Sequence, residues 1–202
     1  MRIISGYSRG LKLITPGKSN QIRPTTDRAR EALFSIIGNS VLGARVLDLY
    51  AGTGALGLEA LSRGARQVVF VDKQHNALQL IKQNCSLCLQ GMDPEQQKNT
   101  IIIKHDLSRG LNFQANETLV SSPFDIIFLD PPYENGLAEK SLAAIDTSDL
   151  ITSKTIIIAE ECSGETLPES FSRLILSDKR RYGDTGFWFY KIKMPQMTKG
   201  SN

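Results

Sequence analysis

The chain has 202 residues, of which 41% are hydrophobic and 22% charged, a composition typical of one globular domain and not of a disordered chain. No run of about 18 apolar residues occurs, and the first residues lack the long apolar stretch of a signal peptide. The cysteines, Cys85, Cys88 and Cys162, are too few and too odd in number for a disulfide framework. We therefore expect a cytoplasmic protein without a membrane segment.

Positive charge is concentrated at the N-terminus. Residues 1–30 contain seven Lys and Arg residues against the single Asp27, a net charge of +6, whereas the rest of the chain sums to −3. Such asymmetry favours a polyanionic partner, of which nucleic acid is the commonest soluble kind. A solvated basic tail would have the same composition.

The first 22 residues predict a small basic β-element, because short extended stretches alternate there with glycine and proline. After this segment Thr25 or Thr26 can cap a helix, whose apolar residues recur at helical spacing up to Gly38. Residues 1–38 are therefore predicted to form an N-terminal element made of a β-hairpin and a helix.

From Arg45 onward, apolar strands alternate with helices. Strands are predicted at 45–50, 67–72, 100–104, 124–129 and 155–159, and helices at 55–62 and 76–89. This alternation predicts a parallel sheet covered on both faces. The last third instead predicts two neighbouring strands, within 171–176 and 186–192, which would add an antiparallel edge. We predict one domain over 39–192 and a flexible tail over 193–202.

A glycine-rich loop follows the first strand of this domain. Gly52-x-Gly54-x-x-Gly57 lies between a predicted strand and a helix, and Asp72 follows 20 residues after Gly52. This pattern alone is compatible with a dinucleotide site. Asp48 argues against a nicotinamide cofactor, because a carboxylate beside a pyrophosphate would repel it.

S-adenosylmethionine fits the acids near this loop better. It has an ammonium group, a ribose and an adenine but no phosphate, and these groups suit Asp48, Asp72 and Asp106, which follow or end successive strands. Ligands bind at such strand ends in open α/β sheets.

Asp130-Pro131-Pro132-Tyr133 directly follows an apolar strand. The prolines fix the backbone and remove two amide donors. Asp130 and the Pro131 carbonyl can accept the N–H bonds of a base's exocyclic amine, while Tyr133 can stack on its ring. Two such acceptors would direct the amine's lone pair toward a sulfonium methyl. The motif therefore predicts an in-line methyl transfer that needs no metal.

Taken together, the segments 48–57 and 130–133 resemble the class I S-adenosylmethionine-dependent methyltransferases that methylate amines. Four N-terminal segments, at 2–6, 9–10, 23–25 and 28–34, are similar to the bacterial 16S ribosomal RNA guanine-N2 methyltransferases. Tyr50 and Asp72 depart mildly from that pattern, which usually has Phe and Glu there.

The resemblance implies an α/β, Rossmann-like fold with a seven-stranded, mostly parallel sheet. It also implies roles for individual residues. S-adenosylmethionine would be bound by Asp48, Ala51, Gly52, Gly54, Asp72 and Asp106. Catalysis would involve Asp130, Pro131 and Tyr133. RNA would be held by Arg9, Arg23, Thr25, Arg28 and Arg30.

The sequence thus predicts methyl transfer from S-adenosylmethionine to the N2 amine of a guanine in 16S ribosomal RNA, free or within an assembling small ribosomal subunit, by a monomer. An adenine-N6 methyltransferase acting on RNA or DNA is an alternative, because the 130–133 motif does not separate the two amines. A non-catalytic RNA-binding module and a nicotinamide-dependent oxidoreductase agree less well with the two motifs.

Overall fold

The computed structural model describes residues 1–16, 26–90, 99–112, 122–132 and 136–194. Within these ranges, seven strands form one sheet with helices on both faces. The strands are β1 (Arg45–Leu49), β2 (Gln67–Asp72), β3 (Thr100–Lys104), β4 (Ile126–Leu129), β5 (Ile156–Cys162), β6 (Leu174–Tyr182) and β7 (Thr185–Ile192). The helices are α1 (Asp27–Ile37), α2 (Ala55–Ser62), α3 (His75–Cys88) and α4 (Leu137–Asp146).

The strand order in the sheet is β3-β2-β1-β4-β5-β7-β6. Strands β1 to β5 are parallel, whereas β7 is antiparallel to both of its neighbours. The predicted mostly parallel sheet with an antiparallel addition is therefore confirmed. The chain order reverses between β1 and β4, which is the switch point where open α/β sheets form a ligand crevice. We call the edge where β1 to β5 end the carboxyl edge, and the opposite one the amino edge.

Two buried clusters, one on each face, hold the layers together. On one face, Val46 and Phe70 pack with residues of α1, α2 and α3. On the other, Leu47 and Trp188 pack with residues of α4. Side chains of a strand alternate between the two faces of the sheet, and here both faces are covered. The sequences of the central strands are therefore apolar without interruption by a polar face. Each buried large apolar side chain contributes about 1.5–3 kcal/mol.

Helix α1 begins and ends where its sequence signals predict. The Thr26 hydroxyl accepts the N–H of Ala29 at 3.1 Å, so Thr26 is the cap, and Thr25 lies outside the described residues. The helix stops at Gly38, whose φ of 51° is easily reached by glycine. Its buried side chains are Ala29, Arg30, Leu33, Phe34 and Ile37.

The first residues form a short hairpin that packs on the main sheet. Ile3 N–H donates to the Leu11 carbonyl and Gly10 N–H to the Ile3 carbonyl, both at 2.9 Å. Ile3 and Leu13 belong to the same buried cluster as Val46. The predicted division at residue 38 therefore separates regions of different charge that share one hydrophobic core.

The structure differs from the sequence prediction in several segments. Helix α4 was not predicted, although Ala138, Leu142 and Ile145 follow helical spacing and are buried. Strand β5 continues to Cys162, past its predicted end at 159, because it stays paired with β7. Lys193, in the predicted tail, donates its backbone N–H to the Arg173 carbonyl at 2.7 Å; residues 195–202 lie outside the described ranges. In the described part of the chain, no helix is long and apolar enough to span a bilayer.

Candidate active site

The glycine loop is a tight turn at the carboxyl edge, between β1 and α2. Tyr50 and Gly52 have φ values of 59° and 55°, a left-handed conformation that is uncommon for an aromatic residue. The Tyr50 hydroxyl lies 3.0 Å from Ser141 Oγ. Gly54 N–H closes the turn by donating to the Ala51 carbonyl at 2.7 Å, and Ala51 N–H donates to the Val71 carbonyl at 3.1 Å.

Asp72, at the end of β2, braces this turn. Its Oδ2 accepts the N–H of Gly52 at 2.9 Å, and its Oδ1 accepts that of Gln74 at 2.8 Å. Each carboxylate oxygen has two lone pairs, so the same group can also accept from a ligand hydroxyl.

Asp48 lies beneath the turn. The side chain is buried, and its Oδ2 accepts the N–H of Gly57 at 2.9 Å. Burial raises the pKa of this carboxyl to about 8. The sequence predicts Asp48 at the end of the first strand, and in the structure it is the penultimate residue of β1, under the start of α2.

Gly57 allows α2 to pack closely on the sheet. A Cβ at this position would lie 2.3 Å from Phe70 Cε1, 2.8 Å from Val68 Cγ1 and 2.9 Å from Asp48 Oδ2. No side chain fits at those distances. The third glycine of the loop therefore brings the helix close enough for its N–H to reach Asp48.

Asp106 follows β3 at the same edge and caps a short 3-10 helix, Leu107–Arg109. Its Oδ1 accepts the hydroxyl of Ser108 at 2.8 Å and the N–H of Ser108 at 3.1 Å. These hydrogen bonds hold the pKa of Asp106 below its usual value. The bond from the Ser108 hydroxyl has the larger effect, the bond from its N–H follows, and Lys73 contributes less. Its contact with an adenine amine stays a prediction.

Asp130 follows β4, on the other side of β1 from Asp72. The residue is half-buried, and its N–H donates to the Leu49 carbonyl at 3.4 Å. Burial, followed by the charge of Glu160, raises its pKa well above the usual value. Pro131 is buried and Pro132 exposed. Tyr133 lies outside the described residues.

The predicted site did not include two buried acids at the end of β5, Glu160 and Glu161. In the sheet register Leu129 lies opposite Ala159, so Glu160 is the neighbour of Asp130 on the adjacent strand and on the same face. The sequence does contain a signal for them, because these two consecutive acids directly follow the apolar run 156–159. Together with Asp48 and Asp130 they bring four carboxyl groups to this part of the edge.

Of the predicted RNA-binding residues, the structure describes Arg9, Arg28 and Arg30, which lie apart from one another. Arg9 and Arg28 are exposed, whereas Arg23 and Thr25 lie outside the described residues. Arg9 lies at the tip of the N-terminal hairpin, where Tyr7 N–H donates to the Ser62 carbonyl at 2.7 Å. Because α2 runs about 12 Å from the carboxyl edge to Ser62, this tip lies toward the amino edge, away from Asp130.

Arg30 corrects the sequence prediction. Its side chain is fully buried, so it cannot meet an RNA phosphate in this fold. Its Nη2 donates to Asp27 Oδ1 at 3.0 Å and to the Arg2 carbonyl, and its Nε lies 3.9 Å from Glu59 Oε2. Arg30 therefore joins α1 to the hairpin and to α2. The sequence showed its charge but not its burial.

The groups at the carboxyl edge fit one class of cofactor. Asp48 and Asp72 are both in contact with the glycine turn, and a buried carboxylate favours a nearby cation over a phosphate. A methionine ammonium and ribose hydroxyls match these acceptors. Asp130 lies across β1 from Asp72, where an amine could approach the cofactor's methyl group.

The chain has close relatives of similar length. A family model described as "Conserved hypothetical protein 95" matches residues 1–191. YlbH of Bacillus subtilis is 37% identical over 191 residues, which cover 95% of this chain and 98% of the relative. The "Ribosomal RNA small subunit methyltransferase D" of Escherichia coli strain K12 is 31% identical over 191 residues, covering 95% and 89%.

Solved structures have the same fold. The Escherichia coli protein yhhF superposes with a TM-score of 0.76 at 27% identity, covering 96% of this chain and 98% of that one. SMU.776, whose structure is a complex with SAH, superposes with a TM-score of 0.60 at 16% identity, covering 84% and 50%, and supports the fold alone. By sequence and by fold, the chain belongs to the family described as conserved hypothetical protein 95 and has the fold of S-adenosylmethionine-dependent methyltransferases.

Proposed function

We propose that the chain transfers the methyl group of S-adenosylmethionine to the N2 amine of a guanine in 16S ribosomal RNA. The observation that carries the proposal is the position of Asp130 at the carboxyl edge, across β1 from the turn that Asp72 braces. This arrangement supports an acceptor for the substrate amine beside a cofactor held by the glycine turn.

The chain's own residues would position the amine and take its proton. The Asp130 carboxylate and the Pro131 carbonyl would accept the two N–H bonds, which aims the nitrogen lone pair at the methyl group. The cofactor would supply an electrophilic methyl group on a sulfonium, and the methyl–sulfur bond that breaks would leave a neutral thioether. Once nitrogen has gained that methyl it becomes strongly acidic, and the Asp130 carboxylate would accept its proton.

An RNA substrate is supported by the charge of the chain and by its relatives. Residues 1–30 have a net charge of +6, and a relative that covers 95% of the chain is named a small-subunit ribosomal RNA methyltransferase. The target guanine would be splayed out of a loop, either in free RNA or in an assembling subunit, because a stacked base does not reach the edge. We propose that the protein acts as a monomer.

Adenine N6 is the alternative target. Its amine also offers two N–H bonds, so Asp130 and Pro131 would hold it in the same way.

Incubation with labelled S-adenosylmethionine separates these functions. The purified protein is mixed with 16S RNA, naked or in small-subunit particles, and the digested RNA is analysed by mass spectrometry. We expect label in N2-methylguanosine. Label in N6-methyladenosine would agree with the proposed fold and site but would show that the target base is adenine. Absence of label from every RNA, despite RNA binding, would favour a non-catalytic binding module.

Asp130→Ala tests the role of the carboxylate. We expect the methylation rate to fall by at least about 100-fold, because general-base and positioning groups contribute effects of this size. Cofactor affinity and thermal stability, measured beside the rate, should stay close to those of the parent. Unchanged methylation by the folded variant would contradict the role proposed for Asp130.

A further inference from the structure

The β6–β7 hairpin has a cluster of positive charge that the proposed function does not use. Lys179, Arg180 and Arg181 are consecutive and exposed, and they lie just before the turn of the hairpin. No cation occurs in the first half of β6, from Leu174 to Asp178. The charge is therefore confined to one end of this strand.

The topology brings that end to the carboxyl edge. Because β7 is antiparallel to both β5 and β6, strand β6 runs in the same direction as β5. In the register Glu160 lies opposite Phe187, and Phe187 lies opposite Arg180. With strands about 4.8 Å apart, the Arg180 backbone lies about 10 Å from Glu160 and about 14 Å from Asp130.

The cations lie on both faces of the hairpin. Side chains directly opposite each other share a face, so Arg180 shares the face of Phe187, which packs in the same cluster as Phe128. This is also the face of Asp130. Lys179 lies on the other face, with its Nζ 4.5 Å from the ring centre of Trp188.

Local contacts orient the two guanidinium groups of the cluster and leave most of their N–H donors for a ligand. Arg180 Nε donates to Asp178 Oδ2 at 2.9 Å and Arg181 Nε to the Gly183 carbonyl at 3.1 Å. Each guanidinium has five N–H donors, of which these contacts use one. The side chain of Arg180 is 56% exposed.

We propose that the tip of the β6–β7 hairpin binds the sugar-phosphate backbone of the RNA next to the target base. The inference rests on the proposed function. RNA must approach the carboxyl edge, because the amine to be methylated has to reach Asp130. Exposed cations at this edge attract the phosphates beside the target base, and the tip lies on the side away from the cofactor strands β1, β2 and β3.

Protection of an edge strand from aggregation is the other physical reason for such cations. Protective charges would be expected along the strand and near its exposed apolar residue, Ile175. Within β6 all three cations lie at the carboxyl edge, whereas the cation opposite Ile175 is Lys191 of β7. The clustering at one end of β6 favours a ligand at that edge.

A charge-matched pair of double variants tests the inference. Arg180→Gln/Arg181→Gln removes two cations at the carboxyl edge, and Lys154→Gln/Lys191→Gln removes two exposed ones near the amino edge. Lys179 is kept because it packs on Trp188. The dissociation constant for a 16S RNA transcript is measured at several salt concentrations, beside thermal stability and cofactor affinity.

We expect Arg180→Gln/Arg181→Gln to weaken RNA binding by about tenfold at 0.1 M salt, and to lower the slope of log affinity against log salt by about 1 to 2. The amino-edge variant should change both quantities much less. Equal effects of the two variants, or an unchanged slope in a folded Arg180→Gln/Arg181→Gln protein, would overturn the inference. A parent that binds the transcript but never methylates it would overturn the proposed function while leaving this RNA-binding test valid.

Discussion

At the scale of single residues, the protonation state of Asp48 depends on its burial and on the charge of a bound ligand. Its carboxyl is buried under the glycine turn, with a pKa raised to about 8. The protonated form is therefore favoured in the free protein near neutral pH. A cationic group bound above the turn would favour the ionised form instead, so binding should release a proton.

We predict that affinity for S-adenosylmethionine rises with pH between about 6 and 8, by up to about tenfold per pH unit, because ionisation of Asp48 then costs less free energy. Calorimetric titrations at several pH values measure this change. The cofactor's own amine titrates in an overlapping range, so Asp48→Asn is the control. Equal pH dependence in parent and variant would show that Asp48 does not respond to the ligand.

Gly57→Ala tests the contact between α2 and the sheet. We expect the free energy of unfolding to fall by about 1–3 kcal/mol, because the added methyl group overlaps Phe70, Val68 and Asp48. Cofactor affinity should fall as well, since α2 carries the glycine turn. Gly164→Ala is the matched control, with no atom within 4 Å of its added Cβ. Urea denaturation compares the two, and a Gly57→Ala protein as stable as the control would contradict the packing argument.

At the scale of elements, the N-terminal hairpin forms hydrogen bonds with a buried carboxylate of α2. Glu59 accepts the N–H of Ile4 at 2.7 Å and that of Ser5 at 3.1 Å. It also accepts from Arg63 Nε at 2.7 Å and faces Arg30. The hairpin therefore depends on a charge cluster in α2 as well as on its apolar contacts.

We predict that Glu59→Gln lowers the free energy of unfolding by about 3 kcal/mol, because Arg30 then stays buried without this counter-charge. Hydrogen exchange at the Ile4 and Ser5 amides should accelerate more than exchange in the central strands. Glu31→Gln, at an exposed position of α1, is the control and should change little. Slow exchange at Ile4 in a destabilised Glu59→Gln protein would show that contacts other than those of Glu59 hold the hairpin.

At the scale of the whole molecule, the positions of the cations along the fold matter more than the net charge. Arg28 lies in the first turn of α1, whose other end leads into the start of β1 at the amino edge. Arg28 is therefore directed toward the carboxyl edge, whereas Arg9 lies at the hairpin tip beside the end of α2.

We predict that Arg28→Ala weakens binding to 16S RNA and lowers the salt slope by about 1, the change expected for one phosphate contact. Arg9→Ala, which removes the same charge farther from Asp130, should have the smaller effect. Affinity for S-adenosylmethionine should not change in either variant. Fluorescence titrations over a range of salt concentrations measure both slopes, and a larger effect of Arg9→Ala would place the RNA across the amino edge instead.

Much of the fold could be predicted from local patterns in the sequence. Alternating apolar strands and helices, the glycine spacing of 52–57 and the Asp130-Pro131-Pro132 sequence after a strand each depend on a few neighbouring residues. Helix α2, with the strands β2 and β3, lies where periodicity predicted it.

Which of these segments lie next to each other depends on the order and register of the strands in the sheet. Strand order puts Asp130 beside β1, and the register puts Glu160 beside Asp130. Burial of Asp48 and Arg30 depends on how α1 and α2 pack, so neither side chain's environment could be read from its neighbours in sequence. Local periodicity and residue type are enough to predict most of the elements and the chemical groups they contain, although α4 was not predicted. Their pairing, burial and charge environment arise from contacts between distant residues, and only the folded chain determines those.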